Sequence, residues 1–386
     1  MPIYLDVFVT SLVVSLLLVM TKRWHGHFSL DHTAGVQKFH TKPTPRIGGV
    51  AIATGMVCAW VVAPPPVKAL LGPLLLAGVP AFAAGLLEDV TKKVGVRARL
   101  LATMVSGALA CGITGIALNR VGIPFVNEWL TWMPLAVAFT AFAAAGVANA
   151  INIIDGFNGL SSGTSLIALA ALGSMATLQG DVALALSCAL VAAAVLGFLV
   201  VNFPLGKLFL GDGGAYLIGF ALAWLAVLLL MRNPAVSAWA ALLACGYPVI
   251  EVLYSVWRRW RKKAPAGEPD SLHLHSLVKT QVIMRWMPHW RPRLRNAAVS
   301  PLMWLYAALP ATLAVVLEGA SRSVLALAFV GCVLVYHLLY QGLARRARLH
   351  PIPDSDLAAL TRNRVATPPA TPPAAPPPAQ TTQVEH

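Results

Sequence analysis

The sequence predicts an all-α protein, a polytopic integral membrane helical bundle of about 10–11 transmembrane helices with its polar loops on the cytoplasmic side. Hydrophobic residues make up 58% of the chain and charged residues only 11%, well outside the range of soluble domains. Apolar stretches of roughly 20 residues, enough to cross a ~30 Å hydrocarbon layer as a helix, recur along its length. The polar clusters between them fall on one face once the spans are counted out.

The spans are drawn at about 3–20, 47–63, 69–87, 100–118, 133–149, 163–179, 182–201, 215–231, 237–256, 298–316 and 323–341. Thr41 to Arg46, Glu88-Asp89, Asn149 to Asp155, Gly211-Asp212-Gly213 and His273-Leu274-His275 occupy the connections after spans 1, 3, 5, 7 and 9. All of the 29 Lys and Arg except Lys68, Arg120, Arg232 and Arg322 lie on that same face or in the C-terminal tail. The positive-inside rule makes this face cytoplasmic, with the N-terminus outside and the C-terminus inside. The net charge of +14 then reads as topology and contact with anionic membrane lipid, with no nucleic-acid partner.

The first segment has no basic residue before Val7 to Met20 and carries Lys22 and Arg23 after it, which predicts a retained span. Cys58, Cys111, Cys188, Cys245 and Cys332 sit inside apolar spans without metal-ligand or disulfide spacing. Two regions result: a membrane domain over 1–350 and a Pro/Ala/Thr-rich tail over 351–386. The tail has too few large apolar side chains to offset the entropy of ordering it, so disorder is expected there.

Each polar cluster has a chemical and a bland reading. In Lys42-Pro43-Thr44-Pro45-Arg46-Ile47-Gly48-Gly49, Lys42 and Arg46 are phosphate contacts or ordinary topology charges. Glu88-Asp89 sits at a helix C-terminus, where the macrodipole disfavours negative charge, so a metal ion or a cationic partner is expected beside it. If the fifth span continues, Asn149, Asn152 and Asp155 share one face, and polar groups at a membrane edge tend to be functional. Asp212, between glycines just before the eighth span, is the best metal-ligand candidate, or else a simple N-cap. His273 and His275 point the same way in an extended segment; metal, phosphate and plain surface roles all stay open. The run Arg258-Arg259-Trp260-Arg261-Lys262-Lys263 reads as an orientation and lipid-contact signal.

Together these segments resemble the bacterial polyprenyl-phosphate N-acetylhexosamine-1-phosphate transferases, glycosyltransferase family 4. The resemblance rests on Pro43 to Gly49, Gly85-Leu86-Leu87-Glu88-Asp89, Asn149 to Gly156, Asn202 to Tyr216 and His273-Leu274-His275, in the family order. It implies Mg²⁺-dependent transfer, with Mn²⁺ as a substitute, from a UDP-N-acetylhexosamine to undecaprenyl phosphate in the bacterial inner membrane. UMP is released, and the lipid-linked sugar starts a cell-surface polysaccharide such as O-antigen.

The resemblance assigns catalysis to Glu88, Asp89, Asp155, His273 and His275, and metal binding to Asp212 and Asp89. Lys42, Arg46, Asn149, Asn152, Asn202 and Phe209 would bind substrate, Phe209 at the position of a uracil-stacking aromatic. Phosphoryl transfer needs charge neutralisation and alignment more than covalent help, which suits these residue types.

Many members have Asp-Asp with a further Asp three positions on, whereas this chain has Glu88 and then Thr91-Lys92-Lys93. His-Leu-His resembles the branch using simple amino sugars, GlcNAc or a 6-deoxy relative, more than the peptidoglycan phospho-MurNAc-pentapeptide translocase, which is the alternative within the family. A transporter would carry ionisable groups near the bilayer midplane, yet the spans are nearly free of charge and Glu251 lies near the cytoplasmic end of the ninth. Intramembrane prenyl transfer would need two Asp-x-x-x-Asp clusters, which do not occur. The sugar and the oligomeric state, a homodimer included, stay open.

Overall fold

The computed structural model describes residues 2–31, 43–262 and 272–349. Lys42 and the 351–386 tail therefore lie outside the described residues. The chain opens with α1 (Ile3–Met20), α2 (Lys22–Ser29) and two short strands, β1 (Leu30–Asp31) and β2 (Thr44–Pro45), then continues through α3 (Gly48–Val62), α4 (Pro65–Thr91), α5 (Val96–Thr114), α6 (Pro124–Trp129), α7 (Met133–Ile153), α8 (Leu160–Leu178) and α9 (Val182–Asn202). It then runs through α10 (Gly211–Arg232), α11 (Ala238–Ala244), α12 (Gly246–Lys262), α13 (Leu274–Val278), a π-helical turn (Lys279–Ile283), α14 (Met284–Trp286), α15 (Pro292–Ala297), α16 (Val299–Val316) and α17 (Arg322–Leu349).

Every predicted span is helical, and among the described residues nine helical segments are long and apolar enough to cross a membrane. Of the remaining two spans, α3 has 15 residues, and the ninth is broken at Cys245 into α11 and α12, bent by 88°. The strands pair antiparallel over two residues each, Leu30 with Pro45 and Asp31 with Thr44, too little to alter the all-α class.

The centre of the bundle is α10. Its residues are apolar all round and almost entirely buried, as expected of a helix enclosed by other helices. It packs most extensively on α4 and α7, with α3, α8 and α5 completing the shell. Small residues allow the approach. A Cβ added at Gly49 would lie 2.3 Å from the Gly214 nitrogen, one at Gly85 2.6 Å from the Asp212 carbonyl, and one at Gly219 2.4 Å from the Ala148 Cα.

Three of the element boundaries that differ from expectation carry candidate site residues. Helix α4 continues to Thr91 and stops at Lys92, whose φ of 57° is left-handed, so Asp89 belongs to the last helical turn. Helix α7 runs on to Ile153, keeping Asn149 and Asn152 helical and leaving Asp155 in the turn beyond. Helix α10 begins at Gly211, four residues before its apolar run, which puts Asp212 in the first turn. Hydropathy undercounts helices at polar ends whose side chains find partners across the bundle.

The backbone contact between α3 and α10 yields a direct test. Gly49→Ala forces a methyl into the Gly214 backbone and is expected to cost about 1–3 kcal/mol through overpacking, read as a lower melting temperature in detergent. An unchanged melting temperature would mean that the two helices do not meet there.

Candidate active site

The N-terminus of α10 presents backbone N–H groups that have no acceptor inside their own helix. The Asp89 carboxylate takes two of them: Oδ1 accepts from the Asp212 N–H at 2.8 Å and Oδ2 from the Gly213 N–H at 2.8 Å. Its side chain is 1% exposed. At the end of α4 this carboxylate opposes its own helix dipole, and at the start of α10 it meets a favourable one. The cationic partner expected for it is Arg46, whose Nε lies 3.3 Å from Asp89 Oδ1.

Arg46 is held by its flanks. Phe209 N–H donates to the Pro45 carbonyl at 2.8 Å, Gly48 N–H to the Phe209 carbonyl at 2.9 Å, and Gly49 N–H to the Leu210 carbonyl at 3.0 Å. The loop after α2 is thus laced to the entry of α10.

Asp212 projects from that first turn into a cationic cage. Its Oδ1 accepts from Arg46 Nη2 at 2.5 Å and from Asn152 Nδ2 at 3.0 Å, and its Oδ2 pairs with Arg99 of α5. Arg99 is buried and also sits over the Tyr216 ring, 5.6 Å from its centroid. Tyr216 in turn donates to Asn149 Oδ1 at 3.4 Å. Asp155 lies one turn beyond Asn152. Burial pushes its carboxyl up to about 6, with the Arg46 guanidinium and the Ser161 hydroxyl opposing the rise.

The histidines come to the same end of the bundle. His273 precedes α13 and His275 lies within it, their rings stacked at 5.2 Å and 10°. Both face Glu251 of α12, which is fully buried: His273 Nδ1 is 3.0 Å from Oε1 and His275 Nδ1 is 3.9 Å from Oε2. Tyr247 Oη is 3.3 Å from His275 Nδ1. On the other side, the His275 ring meets Phe157 edge-on at 5.7 Å, and a Cβ at Gly156 would lie 3.4 Å from His275 Nε2. The pair therefore borders the Asp155 turn.

Other sequence candidates sit apart from this cluster. Glu88 turns to the loop after α4, where its Oε2 accepts from the Val94 N–H at 2.7 Å. Asn202 ties two loops together, accepting from the Gly159 N–H at 2.6 Å and donating to the Leu208 carbonyl at 2.8 Å. Phe209 is half-buried beside the α10 entry, with its backbone used in the lacing to Pro45 and Gly48. Among the described residues no three His, Cys, Asp or Glu side chains are grouped to hold a metal by themselves. A cavity of about 720 Å³ lined by Asn119, Asn127 and Glu128 involves none of these site residues.

Two residues were not singled out from the sequence. Arg99 hides in an ordinary basic run after Glu88-Asp89, and Glu251 reads as a stray charge near a span end. Both carry the same signal, an ionisable side chain inside or bordering an apolar helix, where such groups are costly unless paired.

The raised Asp155 carboxyl has a consequence for stability. The folded chain holds that proton more tightly than the unfolded chain, so stability is favoured at low pH and lost as pH rises from the ordinary carboxylate range through about 6. Asp155→Asn removes this loss. The melting temperature of the variant is expected to exceed that of the wild type by most above pH 6, with the gap closing toward pH 4; a gap independent of pH would contradict the burial.

Residues 71–230 match the family model described as glycosyl transferase family 4. A probable undecaprenyl-phosphate N-acetylglucosaminyl 1-phosphate transferase of Bacillus subtilis (strain 168) is 31% identical over 279 residues, covering 69% of this chain and 76% of that protein. Undecaprenyl-phosphate α-N-acetylglucosaminyl 1-phosphate transferases of Yersinia pestis and Escherichia coli (strain K12) are each 26% identical, over 63% and 71% of this chain and 67% and 75% of their own lengths. With a relative of 31% identity spanning 69% of this chain and 76% of its own length, the chain belongs to glycosyl transferase family 4.

Proposed function

We propose that the protein transfers N-acetylhexosamine 1-phosphate from a UDP-N-acetylhexosamine, GlcNAc or a 6-deoxy relative, to undecaprenyl phosphate, releasing UMP. The observation that carries this reading is the meeting of Arg46, Arg99, Asn152, Asp155 and Asp212 around the N-terminus of α10. Membership of the family, with relatives named for undecaprenyl-phosphate N-acetylglucosaminyl 1-phosphate transfer, supports it. The product would start a cell-surface polysaccharide such as O-antigen.

In this reaction an oxygen of the acceptor phosphate attacks the β-phosphorus of the UDP-sugar. A new P–O bond forms there, the bond to the bridging oxygen breaks, and its electron pair leaves with UMP. A lipid phosphate monoester with a second pKa near ~6 is already largely dianionic at neutral pH, so no side chain has to remove a proton. The barrier lies in gathering negative charge, which is the work of guanidiniums and a helix N-terminus. Arg46 and Arg99 are the phosphate-binding groups of this reading. Asp89 keeps the α10 N-terminus and Arg46 in register.

The donor set fits a hard cation. Mg²⁺ binds through one or two carboxylates and completes its shell with phosphate oxygens and water. Asp212 with Asn152 beside it offers such a partial site only by sharing oxygens already paired with Arg46 and Arg99, and Asp89 only by sharing oxygens already used by backbone N–H groups. When bound, Mg²⁺ neutralises phosphate charge; Mn²⁺ has the same oxygen preference.

His273 and His275 hold the diphosphate. Glu251 lies on the Nδ1 side of the stacked pair, which fixes ring orientation. The distribution of Lys and Arg supports a cytoplasmic face for this end of the bundle, in a bacterial inner membrane with the N-terminus outside.

Purified full-length protein given UDP-GlcNAc, undecaprenyl phosphate and Mg²⁺ is expected to release UMP, and EDTA to stop it. Asp212→Asn should remain folded and lose nearly all turnover, because an amide is a poorer ligand for a hard cation. Near wild-type, Mg²⁺-dependent release by that variant would remove Asp212 from the site. No UMP with any of a panel of UDP-sugars, UDP-MurNAc-pentapeptide included, would reject the reaction class.

Glu251→Gln separates the histidines from the metal. Loss of one charge-assisted contact worth roughly 1.5–3 kcal/mol predicts a 10- to 100-fold fall in kcat/KM, with the Mg²⁺ concentration dependence unmoved. A displaced Mg²⁺ curve would make the histidines metal ligands, and full activity would make Glu251 a packing residue.

A further inference from the structure

The turn that carries Asp155 joins α7 to α8 and contains Gly156 and Gly159, the latter at a φ of 79°. Glycine at both positions leaves the turn poorly fixed by its own backbone. Its restraint comes from elsewhere in the chain. Asn202 of α9 accepts from the Gly159 N–H at 2.6 Å. Helix α16 supplies two donors, Ser300 Oγ to the Asn158 carbonyl at 2.6 Å and Trp304 Nε1 to the Gly159 carbonyl at 3.2 Å. Ser300 is fully buried, and Trp304 lies one turn further along the same face of α16.

Packing repeats the contact. A Cβ added at Gly163 would lie 2.2 Å from the Trp304 indole, and one at Gly159 would lie 2.8 Å from the Phe203 ring. The Phe203 and Trp304 ring centroids are 5.0 Å apart, so the indole is wedged between Phe203 and the first turn of α8. The Gly159 carbonyl already accepts from the Gly163 N–H of its own helix at 2.8 Å. Its pairing does not depend on Trp304; a second donor on the same oxygen instead sets where α8 begins.

Helix α16 carries no charged residue, so its influence on Asp155 is one of position. The charged groups facing Asp155 are Arg46, from the loop before α3, and Asp89 of α4. Ser161 of α8 stands beside it, and His275 of α13 lies against Gly156. We propose that Ser300 and Trp304 are positioning residues for Asp155, holding its turn so that the carboxyl faces Arg46 and Ser161 during the transfer reaction. The inference rests on the proposed reaction for its kinetic consequence alone.

The test uses the full-length protein in detergent and the variants S300A and W304F, the second of which keeps an aromatic ring. Each should lower kcat/KM for UMP release roughly 10- to 100-fold, the scale of a small misplacement in a preorganised site. A thermal readout separates positioning from packing: the excess melting temperature of Asp155→Asn over its parent at pH 7, measured within each background so that uniform loss of stability cancels. Loosening the turn hydrates Asp155 and returns its carboxyl toward the ordinary range, which removes the penalty that Asn relieves. The excess should therefore fall by roughly half or more in S300A and W304F. Y306F, which removes a hydrogen bond from α16 to the Cys332 carbonyl of α17, should lower the melting temperature and keep the excess. An unchanged excess in S300A and W304F, an equal fall in Y306F, or wild-type turnover by S300A and W304F would overturn the proposal. A wild type that releases no UMP would reject the reaction instead, and the thermal comparison would still decide the positioning.

Discussion

The two N–H groups that open α10 have no acceptor within their own helix, and the Asp89 carboxylate, carried in the last turn of α4, takes both at 2.8 Å. A buried negative charge at the positive end of one helix and the negative end of another is stable only with both helices in register, and the rest of the site inherits that register. Because Asp89 fixes the first turn of α10, Asp212 must project sideways from it, toward Arg46, Arg99 and Asn152. The apposition needs close backbones, which Gly85 and Gly49 provide. The far end of α10 is answered in the opposite sense: Arg120 donates to the carbonyls of Leu230, Asn233 and Pro234. A nearly all-apolar helix at the centre of the bundle thus has its polar ends met by side chains of opposite sign from α4 and from the connection after α5.

This arrangement explains how a membrane protein concentrates charge without unfolding its own boundary. Asp89 is engaged by backbone, Asp212 by two guanidiniums, and Glu251 by the His273 imidazole and the Leu274 N–H. Each buried carboxylate carries its counter-charge or donors from a different part of the chain, so the site forms only when the bundle closes. A phosphate group entering such a cluster competes for cations already held in place and meets little reorganisation, the condition under which electrostatic stabilisation is most effective.

Much of this was legible in the sequence because polar residues at the ends of apolar spans are few. Asp89, Asn152, Asp155, Asp212 and Arg46 stand out against their surroundings, and parity of the spans brings them to one end before any coordinate is known. Partnership was less readable. Glu88 and Asp89 look equivalent as a pair, yet the helical phase of α4 sends Asp89 to α10 and Glu88 to the Val94 N–H. Asn202, which the resemblance makes a substrate-binding amide, joins Gly159 to Leu208, a partnership its sequence neighbours do not signal. Arg99 and Glu251 were hidden for a different reason: their importance lies in what faces them, and neither Asp212 nor the histidines is near them in sequence. The break at Cys245 is likewise invisible to hydropathy, which sees one continuous apolar run.

In the proposed reaction, phosphate chemistry is organised at the N-terminus of α10, between Arg46, Arg99 and Asp212. A cryo-electron microscopy structure of the protein with a bound UDP-N-acetylhexosamine tests it most directly. Diphosphate density is expected within hydrogen-bond distance of the Arg46 and Arg99 guanidiniums, with Asp89 still holding the Asp212 and Gly213 N–H groups. Diphosphate density away from both arginines, with their pairing to Asp212 intact, would contradict it.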